Sequence, residues 1–384
     1  MRLIAYLIVT TWAIYSCSNV FFLFAAYLER SGFPSEDAGL LVGAFYGATT
    51  LARVLGGWAV ERVGIRRAMA ASAFLCLGAA LLNLAASSFW HFLWIRLAMG
   101  CAYGVFVVAL TTYQSLVIPE ETRGLAFVFI TLGALSCLFT VVPLADWLLT
   151  RGYDKAFLAL PVGAALLCAV QAFRLPPVSA AFDAGEQSWG TWGEFYQYSP
   201  FWRIAASCIF FGLCDASIVY IPALALSMGL APSSFVVANG LGALAMRTLA
   251  RDFFNRHPRY ALAGPSLLVM AVFLYLTPLS KDNLGLFACG FFYGVGMGYG
   301  FPAHLALIGD LAPARLRAKS STLVYFCYDV SFFLLPMLMG FVAPMLGKTG
   351  AFRLLGLSCV ASGVGVTVMW ALFAEVPKKE RKAG

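Results

Sequence analysis

Several ionisable side chains lie within otherwise apolar stretches of this chain, and three of them are the main candidates for chemistry. Arg96 lies in the stretch 89–118, Asp215 in 201–227 and Asp329 in 320–345. A charge in apolar surroundings is unfavourable unless it is paired or hydrated, so each is a candidate for chemistry. A buried carboxylate binds and releases a proton as its solvation changes. An arginine binds an anionic group or, alternatively, holds neighbouring helices through their backbone carbonyls, and the sequence leaves both roles open.

Asp215 is the first candidate for proton transfer. For Asp329, a hydrogen bond between helices is an equal alternative. Asp146 comes near the end of another apolar stretch, at 125–148, and we expect it to be exposed to solvent.

Uncharged polar side chains also follow a helical pattern. In the first apolar stretch a polar stripe recurs at intervals of three or four residues, which places it on one helical face: Thr11, Tyr15, Ser18, Asn19 and Phe22. Such a stripe predicts either the lining of a cavity or hydrogen bonds between helices. Tyr113, Gln114 and His304 stand near the ends of two further stretches, where we expect an inner mouth, although a lone histidine is also common in packing. Pro222, after Tyr220, predicts a kink.

The composition is that of an integral membrane protein. Hydrophobic residues make up 61% of the 384 residues and charged residues 11%, with a mean hydropathy of +0.83. A soluble domain needs roughly 25% charged residues to cover its surface. The net charge of +8 lies in short loops, which indicates orientation in a bilayer and not nucleic-acid binding. No CxxC pair, metal-spaced cluster, nucleotide motif or nucleophile with a neighbouring base occurs, so we expect no enzyme activity, cofactor or metal.

About 20 apolar residues cross a membrane as a helix, and the chain divides into twelve stretches of about that length. They are 3–28, 38–60, 68–88, 89–118, 125–148, 155–174, 201–227, 235–250, 260–277, 284–309, 320–345 and 351–373. Of the 26 Lys and Arg residues, 18 then fall on one side and 6 on the other, while Arg53 and Arg96 lie within spans. Because the cytoplasmic side is enriched in basic residues, both termini are predicted to be cytoplasmic.

The predicted fold is an all-α membrane protein with twelve transmembrane helices in two pseudo-symmetric bundles of six. The bundles are 1–174 and 201–373, joined by a cytoplasmic linker at 175–200 and followed by a basic cytoplasmic tail at 374–384. The linker predicts either an interfacial segment or a plain tether, because it is rich in aromatic residues: Trp189, Trp192, Phe195, Tyr196 and Tyr198.

The two halves contain an internal repeat over the middle of each, and its register later slips to 195, where Ala156-Phe157 faces Ala351-Phe352. An offset of 194 aligns Arg53 with Arg247, Arg62 with Arg256, Gly100 with Gly294, Gly104 with Gly298, Pro119 with Pro313 and Arg123 with Arg317. Six spans return the chain to its starting side, so the repeat is parallel. Such repeats place a binding site between the halves and work by alternating access. In the second copy Gly290, Gly294 and Gly298 recur at every fourth position, which predicts close helix contacts.

At these residues the chain resembles the major facilitator superfamily of secondary transporters over essentially its whole length. The stretch "GGWAVERVGIRR" matches the family's motif between the second and third spans through Gly57, Glu61, Arg62, Gly64, Arg66 and Arg67, with Glu61 in place of the commoner Asp. Arg96 with its small-residue spacing, "RLAMGCAYG", is similar to the family's fourth span. Cys137-Leu138 stands where antiporters carry Gly-Pro, and the loops "PEETRG" and "LAPARLRA" look most like the bacterial sugar-efflux and multidrug branch.

The resemblance implies a carrier whose seventh span, and therefore Asp215, lines the cavity. It also implies a cytoplasmic gate in which Glu61 and the arginines pair with neighbouring helix ends, while Gly57 and Gly64 allow close approach; Arg123, Asp310 and Arg317 complete this gate motif. We expect a monomer in the bacterial inner membrane that exports a small organic molecule in exchange for protons. Proton-coupled uptake of a metabolite, with Arg96 on an anionic group, and a non-transporting sensor are the alternatives.

Overall fold

The computed structural model describes residues 2–118, 123–176, 192–197, 200–249, 258–311 and 317–375. Throughout these ranges the regular elements are helices. In the first half they are α1 (Arg2–Asn19), α2 (Phe24–Arg30), α3 (Ser35–Val63), α4 (Ile65–Asn83), α5 (Phe89–Val117), α6 (Arg123–Phe139), α7 (Val141–Thr150) and α8 (Asp154–Arg174).

The second half repeats this order after the short helix α9 (Trp192–Gln197). Its helices are α10 (Phe201–Ala216), α11 (Ile221–Ser227), α12 (Pro232–Leu249), α13 (Tyr260–Leu276), α14 (Asn283–Leu311) and α15 (Arg317–Glu375). The 59-residue α15 is two helices, because Gly347 has non-helical angles, with φ +69 and ψ 157.

Nine helical segments of the described ranges are long and apolar enough to cross a membrane. The last of them, Leu323–Phe373, contains the break at Gly347 and, at 51 residues, is long enough for two crossings. The helices α3 and α12 correspond to the remaining two predicted spans, so the structure is consistent with twelve. Large apolar side chains such as Leu82, Trp90, Trp94 and Met345 are exposed on the outside, as expected for a surface that contacts lipid.

Three predicted spans are interrupted where the sequence predicted one continuous helix or only a kink. Val20–Leu23 forms a 3₁₀ turn between α1 and α2, and Ser217–Val219 forms one before α11. The kink expected near Pro222 is therefore confirmed as a break that precedes it. The third interruption lies at Thr140, because Pro143 has no N–H to continue the helical hydrogen bonds from α6.

The chain divides into two compact units. Unit 1 comprises Met1–Ala181, Val219–Leu226 and Pro336–Phe341, and unit 2 comprises Phe182–Ile218, Ser227–Leu335 and Val342–Gly384. Within unit 1, α3 packs extensively on α5, and within unit 2, α12 packs in the same way on α14. These two pairs are related by the 194-residue offset of the repeat.

Glycines make these helix pairs close. A Cβ at Gly104 would lie 2.9 Å from the carbonyl oxygen of Thr49, and one at Gly298 would lie 2.9 Å from that of Ala243. Thr49 and Ala243 are themselves 194 positions apart, so the same contact is built twice. The predicted close contacts of the glycines in α14 are confirmed.

The linker helix α9 packs on the start of the second half. Phe195 is 2% exposed, and its ring centroid lies 4.9 Å from that of Phe201. Tyr196 on the same helix is exposed. Trp189, Tyr198 and the tail beyond Glu375 lie outside the described residues, and so does the side chain of Trp192.

Candidate functional site

Arg96 lies in a cage of aromatic rings in unit 1. Its guanidinium carbon lies 4.4 Å from the ring centroid of Phe21, 5.0 Å from that of Phe24 and 4.4 Å from that of Phe45. The side chain is 1% exposed, and Nε donates a hydrogen bond of 3.4 Å to the carbonyl of Leu41. We call Arg96 and these three rings the arginine cage. Desolvated cation–π contacts contribute about 2 kcal/mol or more.

The cage is held by local features of three helices. The 3₁₀ turn Val20–Leu23 carries Phe21 and precedes Phe24, and Leu41 and Phe45 lie one turn apart on α3. On α5, Gly100 follows Arg96 by one turn, and any Cβ there would collide with the carbonyl oxygen of Phe45. Close approach of α3 and α5 therefore sets the distance from Arg96 to its partners.

The polar stripe of α1 lies beside this cage. The ring of Tyr15 packs edge-on against that of Tyr103 at 6.1 Å, and Tyr103 packs at 5.5 Å on Phe45 of the cage. The amide of Asn19 donates to the sulfur of Cys137 at 2.9 Å. The structure thus places Tyr15 close to Arg96, while the Asn19 amide is used to join α1 to α6.

Tyr113 and Gln114 are also buried and make contacts between elements. The hydroxyl of Tyr113 donates to the carbonyl of Pro176 at 2.9 Å, after the end of α8. The amide of Gln114 donates to the hydroxyl of Thr11 at 3.3 Å, and both residues are at most 5% exposed.

Tyr220 joins a polar cluster elsewhere in unit 1. Its hydroxyl donates to Oε1 of Glu29 at 3.0 Å, and the hydroxyl of Ser35 donates to the same oxygen at 2.9 Å. The cluster therefore connects α2, α3 and the segment just before α11. Glu29 and Ser35 were not predicted, because they stand at helix ends where polar residues are common.

Asp215 lies in the last turn of α10, in unit 2, and is 4% exposed. Beside it, the hydroxyl of Tyr293 donates to the carbonyl of Cys214 at 2.8 Å and lies 3.3 Å from the hydroxyl of Ser217. Tyr293 therefore binds a carbonyl at the end of α10, where the helix gives way to the 3₁₀ turn. Oδ1 of Asp215 has no hydrogen-bond partner among the described residues.

His304 is enclosed in unit 2. Its Nδ1 lies 2.8 Å from the carbonyl of Gly300, and its Nε2 lies 2.7 Å from the hydroxyl of Ser207. Because a carbonyl only accepts, Nδ1 carries a proton, and a neutral ring then accepts from Ser207. Trp370 donates to the same hydroxyl at 3.4 Å. Both ring nitrogens thus have partners, as in a packing histidine.

The other two carboxylates of the apolar stretches are buried. Asp329 on α15 is 6% exposed and takes part in interactions within the protein. Asp146 is 4% exposed, so the expectation that it is exposed to solvent is wrong. It falls on the buried face of α7 with Val142, Ala145 and Leu149, and this face, not distance from the end of the span, decides its burial.

Only part of the predicted gate motif is described. Arg62 and Arg67 are exposed, and Arg66 donates to the carbonyl of Phe173 at 2.9 Å, near the end of α8, where a cation is favourable. Gly64 has a φ of +89 and forms the turn from α3 to α4. No atom lies within 4 Å of a Cβ added to Gly64, so this glycine does not allow the close approach of helices that was predicted. Gly57, Glu61, Arg123, Asp310 and Arg317 lie outside the residues whose side chains are described.

The aromatic partners of Arg96 were missed by sequence reasoning, because a phenylalanine in an apolar span gives no polar signal. The repeat gives one polar counterpart to these rings, because the offset of 194 pairs Phe45 with Asn239. Asn239 is 0% exposed, and neither its Oδ1 nor its Nδ2 has a hydrogen-bond partner in the described part of the chain.

Comparison with solved structures finds several transporters of similar fold. The nucleoside transporter NupG is 12% identical with a TM-score of 0.73, and the similarity covers 98% of this chain and 100% of that one. A D-xylose-proton symporter is 15% identical with a TM-score of 0.75, covering 94% and 96%. A mutant of the peptide transporter POT is 14% identical with a TM-score of 0.76, covering 95% and 93%. At these identities the similarity establishes the fold and not the substrate.

No curated protein sequence matches the chain. A family model described as Major Facilitator Superfamily matches residues 6–328 and, in a second match, residues 253–384. Together the two matches extend over nearly all of the chain, in agreement with the all-helical transporter fold. The chain therefore belongs to the Major Facilitator Superfamily, as a multi-pass membrane protein that is a transporter and not an enzyme.

Proposed function

We propose that this protein exports a small organic molecule across the bacterial inner membrane in exchange for protons, by alternating access. The observation that carries the proposal is a pair of buried ionisable groups, one in each unit. Arg96 has an Nη1 and Asp215 an Oδ1 without a hydrogen-bond partner among the described residues, although both side chains are at most 4% exposed. Groups held in this way are poised to receive a ligand or a proton.

The two groups have different roles in this mechanism. Asp215 takes up and releases the coupling proton, because a carboxylate without a charged partner gains stability when it is protonated in apolar surroundings. Arg96, held by its cage, orients a polar or anionic part of the substrate. Asp329 is the second candidate for proton transfer. The similarity of the loops "PEETRG" and "LAPARLRA" to sugar-efflux and multidrug carriers supports export.

Reconstitution into vesicles with an imposed pH gradient tests the function. Candidate amphipathic compounds are screened for movement, and substrate flux is recorded together with internal pH. Export by antiport predicts that substrate and protons move in opposite directions. Asp215→Asn should abolish the coupling of the two fluxes, because the amide cannot bind a proton.

A matched control uses a carboxylate outside the apolar core. Asp154 is about half-exposed and pairs with Arg30 at the surface, so Asp154→Asn should leave coupled flux unchanged. Unchanged coupling in Asp215→Asn would overturn the assignment of the proton site. Movement of no compound would favour the sensor on the same fold.

Proton-coupled uptake is the second candidate function. It is supported by the permanent cation in the arginine cage, which suits an anionic metabolite, and by Cys137-Leu138 in place of the antiporter Gly-Pro. Substrate and protons would then move in the same direction in the vesicle experiment, and an anionic compound would compete best.

A further inference from the structure

Because of the repeat, the surroundings of Arg96 in unit 1 can be compared with the corresponding positions of unit 2. A Cβ at Gly100 would collide with the carbonyl oxygen of Phe45, and a Cβ at Gly294 would collide with that of Asn239. Phe45 and Asn239 are 194 positions apart, as are the two glycines. The register of the repeat therefore holds in three dimensions at this level of both helix pairs.

At this level the first unit supplies its own cation. The guanidinium of Arg96 lies among Phe21, Phe45 and the carbonyl of Leu41. The repeat counterparts in unit 2 are Gly290 for Arg96, Asn239 for Phe45 and Phe235 for Leu41. At this position unit 2 thus has a glycine in place of the cation and an amide in place of the phenyl ring of Phe45.

Two buried polar side chains in this part of unit 2 have atoms that lack a hydrogen-bond partner. Oδ1 of Asp215 and both polar side-chain atoms of Asn239 have no hydrogen-bond partner among the described residues, at 4% and 0% exposure. An unsatisfied buried polar group destabilises a protein by about 1–3 kcal/mol, and a charged group by more. Two such groups in one unit indicate a ligand that supplies the missing partners.

Neighbouring residues define the chemistry of this place. The ring of Tyr293 lies 5.3 Å from that of Phe235, which is one turn before Asn239 on α12, and Tyr293 interacts electrostatically with Asp215. The hydroxyl of Tyr293 is held by the Cys214 carbonyl. We call Asp215, Asn239, Tyr293 and Phe235 the acidic niche. It offers two oxygens that accept hydrogen bonds, one of them charged, next to aromatic rings.

We propose that the acidic niche binds an organic cation bearing N–H groups, an ammonium or a guanidinium, as the cationic part of the transported substrate. Such a group donates to Oδ1 of Asp215 and to Oδ1 of Asn239, and it takes the role in unit 2 that Arg96 has in unit 1. A metal ion suits the niche less well, because no group of three or more His, Cys, Asp or Glu in the described part of the chain could hold one.

The niche also gives a reason for exchange. Asp215 binds either the cation or a proton, so binding of one expels the other, and this competition couples their movements. The other titratable side chains that interact with this region are Tyr293, Cys214 and Cys359. Tyrosine and cysteine ordinarily carry no charge between pH 5 and 7, which leaves Asp215 as the group that exchanges its proton. This inference rests on the proposed function for its role in transport but not for binding.

Binding of benzylammonium to the purified protein in detergent tests the niche, with benzyl alcohol and benzoate as neutral and anionic analogues of similar shape. Calorimetry should show binding of benzylammonium alone, weaker at pH 5 than at pH 7 and with about one proton released per cation bound. Asp215→Asn should weaken binding about 30-fold or more, since a buried charge loses its partner. Asn239→Ala should weaken it by a smaller factor.

Asp146→Asn is the matched control, because it removes another buried carboxylate, on α7 of unit 1, and should leave benzylammonium affinity unchanged. Size-exclusion profiles check that each variant folds, and proton release by the unaltered protein tests the niche if Asp215→Asn does not fold. Equal affinity in Asp215→Asn, tighter binding of benzoate, or displacement of benzylammonium by sodium would each overturn the proposal. Binding without flux in vesicles would overturn the transport function alone, whereas coupled flux of neutral compounds only would overturn the niche alone.

Discussion

The burial of Arg96 could be predicted from the sequence, but only some of its contacts could. Its burial and its need for a partner follow from a charge in an apolar span, and both the backbone and the ligand alternatives were predicted. The structure supplies the backbone contact to Leu41 and adds three rings that no pattern in the sequence indicates. A rule based on depth in the membrane failed for Asp146, since the helical face decides its burial.

The structural and functional roles of Arg96 predict different results for Arg96→Met. Replacing a buried charge by an apolar side chain of similar volume is often neutral or stabilising, so we expect the variant to fold with an almost unchanged melting temperature. Transport should fall about tenfold or more, because the cation that orients the substrate is lost. Thermal unfolding in detergent and flux in vesicles measure the two effects on the same preparation.

The control for this variant is Arg151→Met. Arg151 is exposed and lies 5.6 Å over the ring of Trp147, so it also stacks on an aromatic side chain, but at the surface. Its replacement should change neither quantity. If Arg96→Met lost its fold while Arg151→Met kept it, the cage would be a structural lock.

At the scale of helices, the positions of spans could be predicted and their interruptions only in part. Apolar length fixes where a helix crosses, but the breaks at Val20–Leu23 and Thr140 depend on packing and on a proline three residues later. The spacing of glycines predicted the packing better, because a helix face without side chains lets a second helix approach closely. The repeat then doubles the information, since each contact of α3 with α5 predicts one of α12 with α14.

The contact of α12 with α14 should therefore be sensitive to one methyl group. In Gly294→Ala the added Cβ meets the backbone of Asn239, which cannot rotate away, and we expect a loss of about 1–3 kcal/mol in stability. Gly365→Ala on α15 is the matched control, because nothing lies within 4 Å of its Cβ, and alanine favours a helix. Equal changes in the melting temperatures of the two variants would contradict the close contact between α12 and α14.

At the scale of the molecule, the span count and the repeat were predicted from patterns that extend over many residues, so an error at one span boundary does not change them. The division into spans does not depend on any one boundary, and the 194-residue offset links positions over the middle of both halves. The orientation in the membrane rests on charge alone. The last two predicted spans lie in α15 on either side of Gly347, where the helix is broken.

Reporter fusions decide whether α15 crosses the membrane twice. Gly347 has φ +69, and Lys348 and Arg353 belong to the 6 basic residues on the predicted outer side, so a turn there should face away from the cytoplasm. In a bacterial host, a fluorescent protein fused after Lys348 should stay dark, whereas alkaline phosphatase at that position should be active. Fusions after Glu375 should give the opposite result. Fusions after Arg67 are the control and should match those after Glu375, because the loop that contains Arg67 carries three of the 18 cytoplasmic basic residues. Active phosphatase after both Lys348 and Glu375 would mean that the segment between them does not cross the membrane, which would put the C-terminus outside and remove the twelfth span.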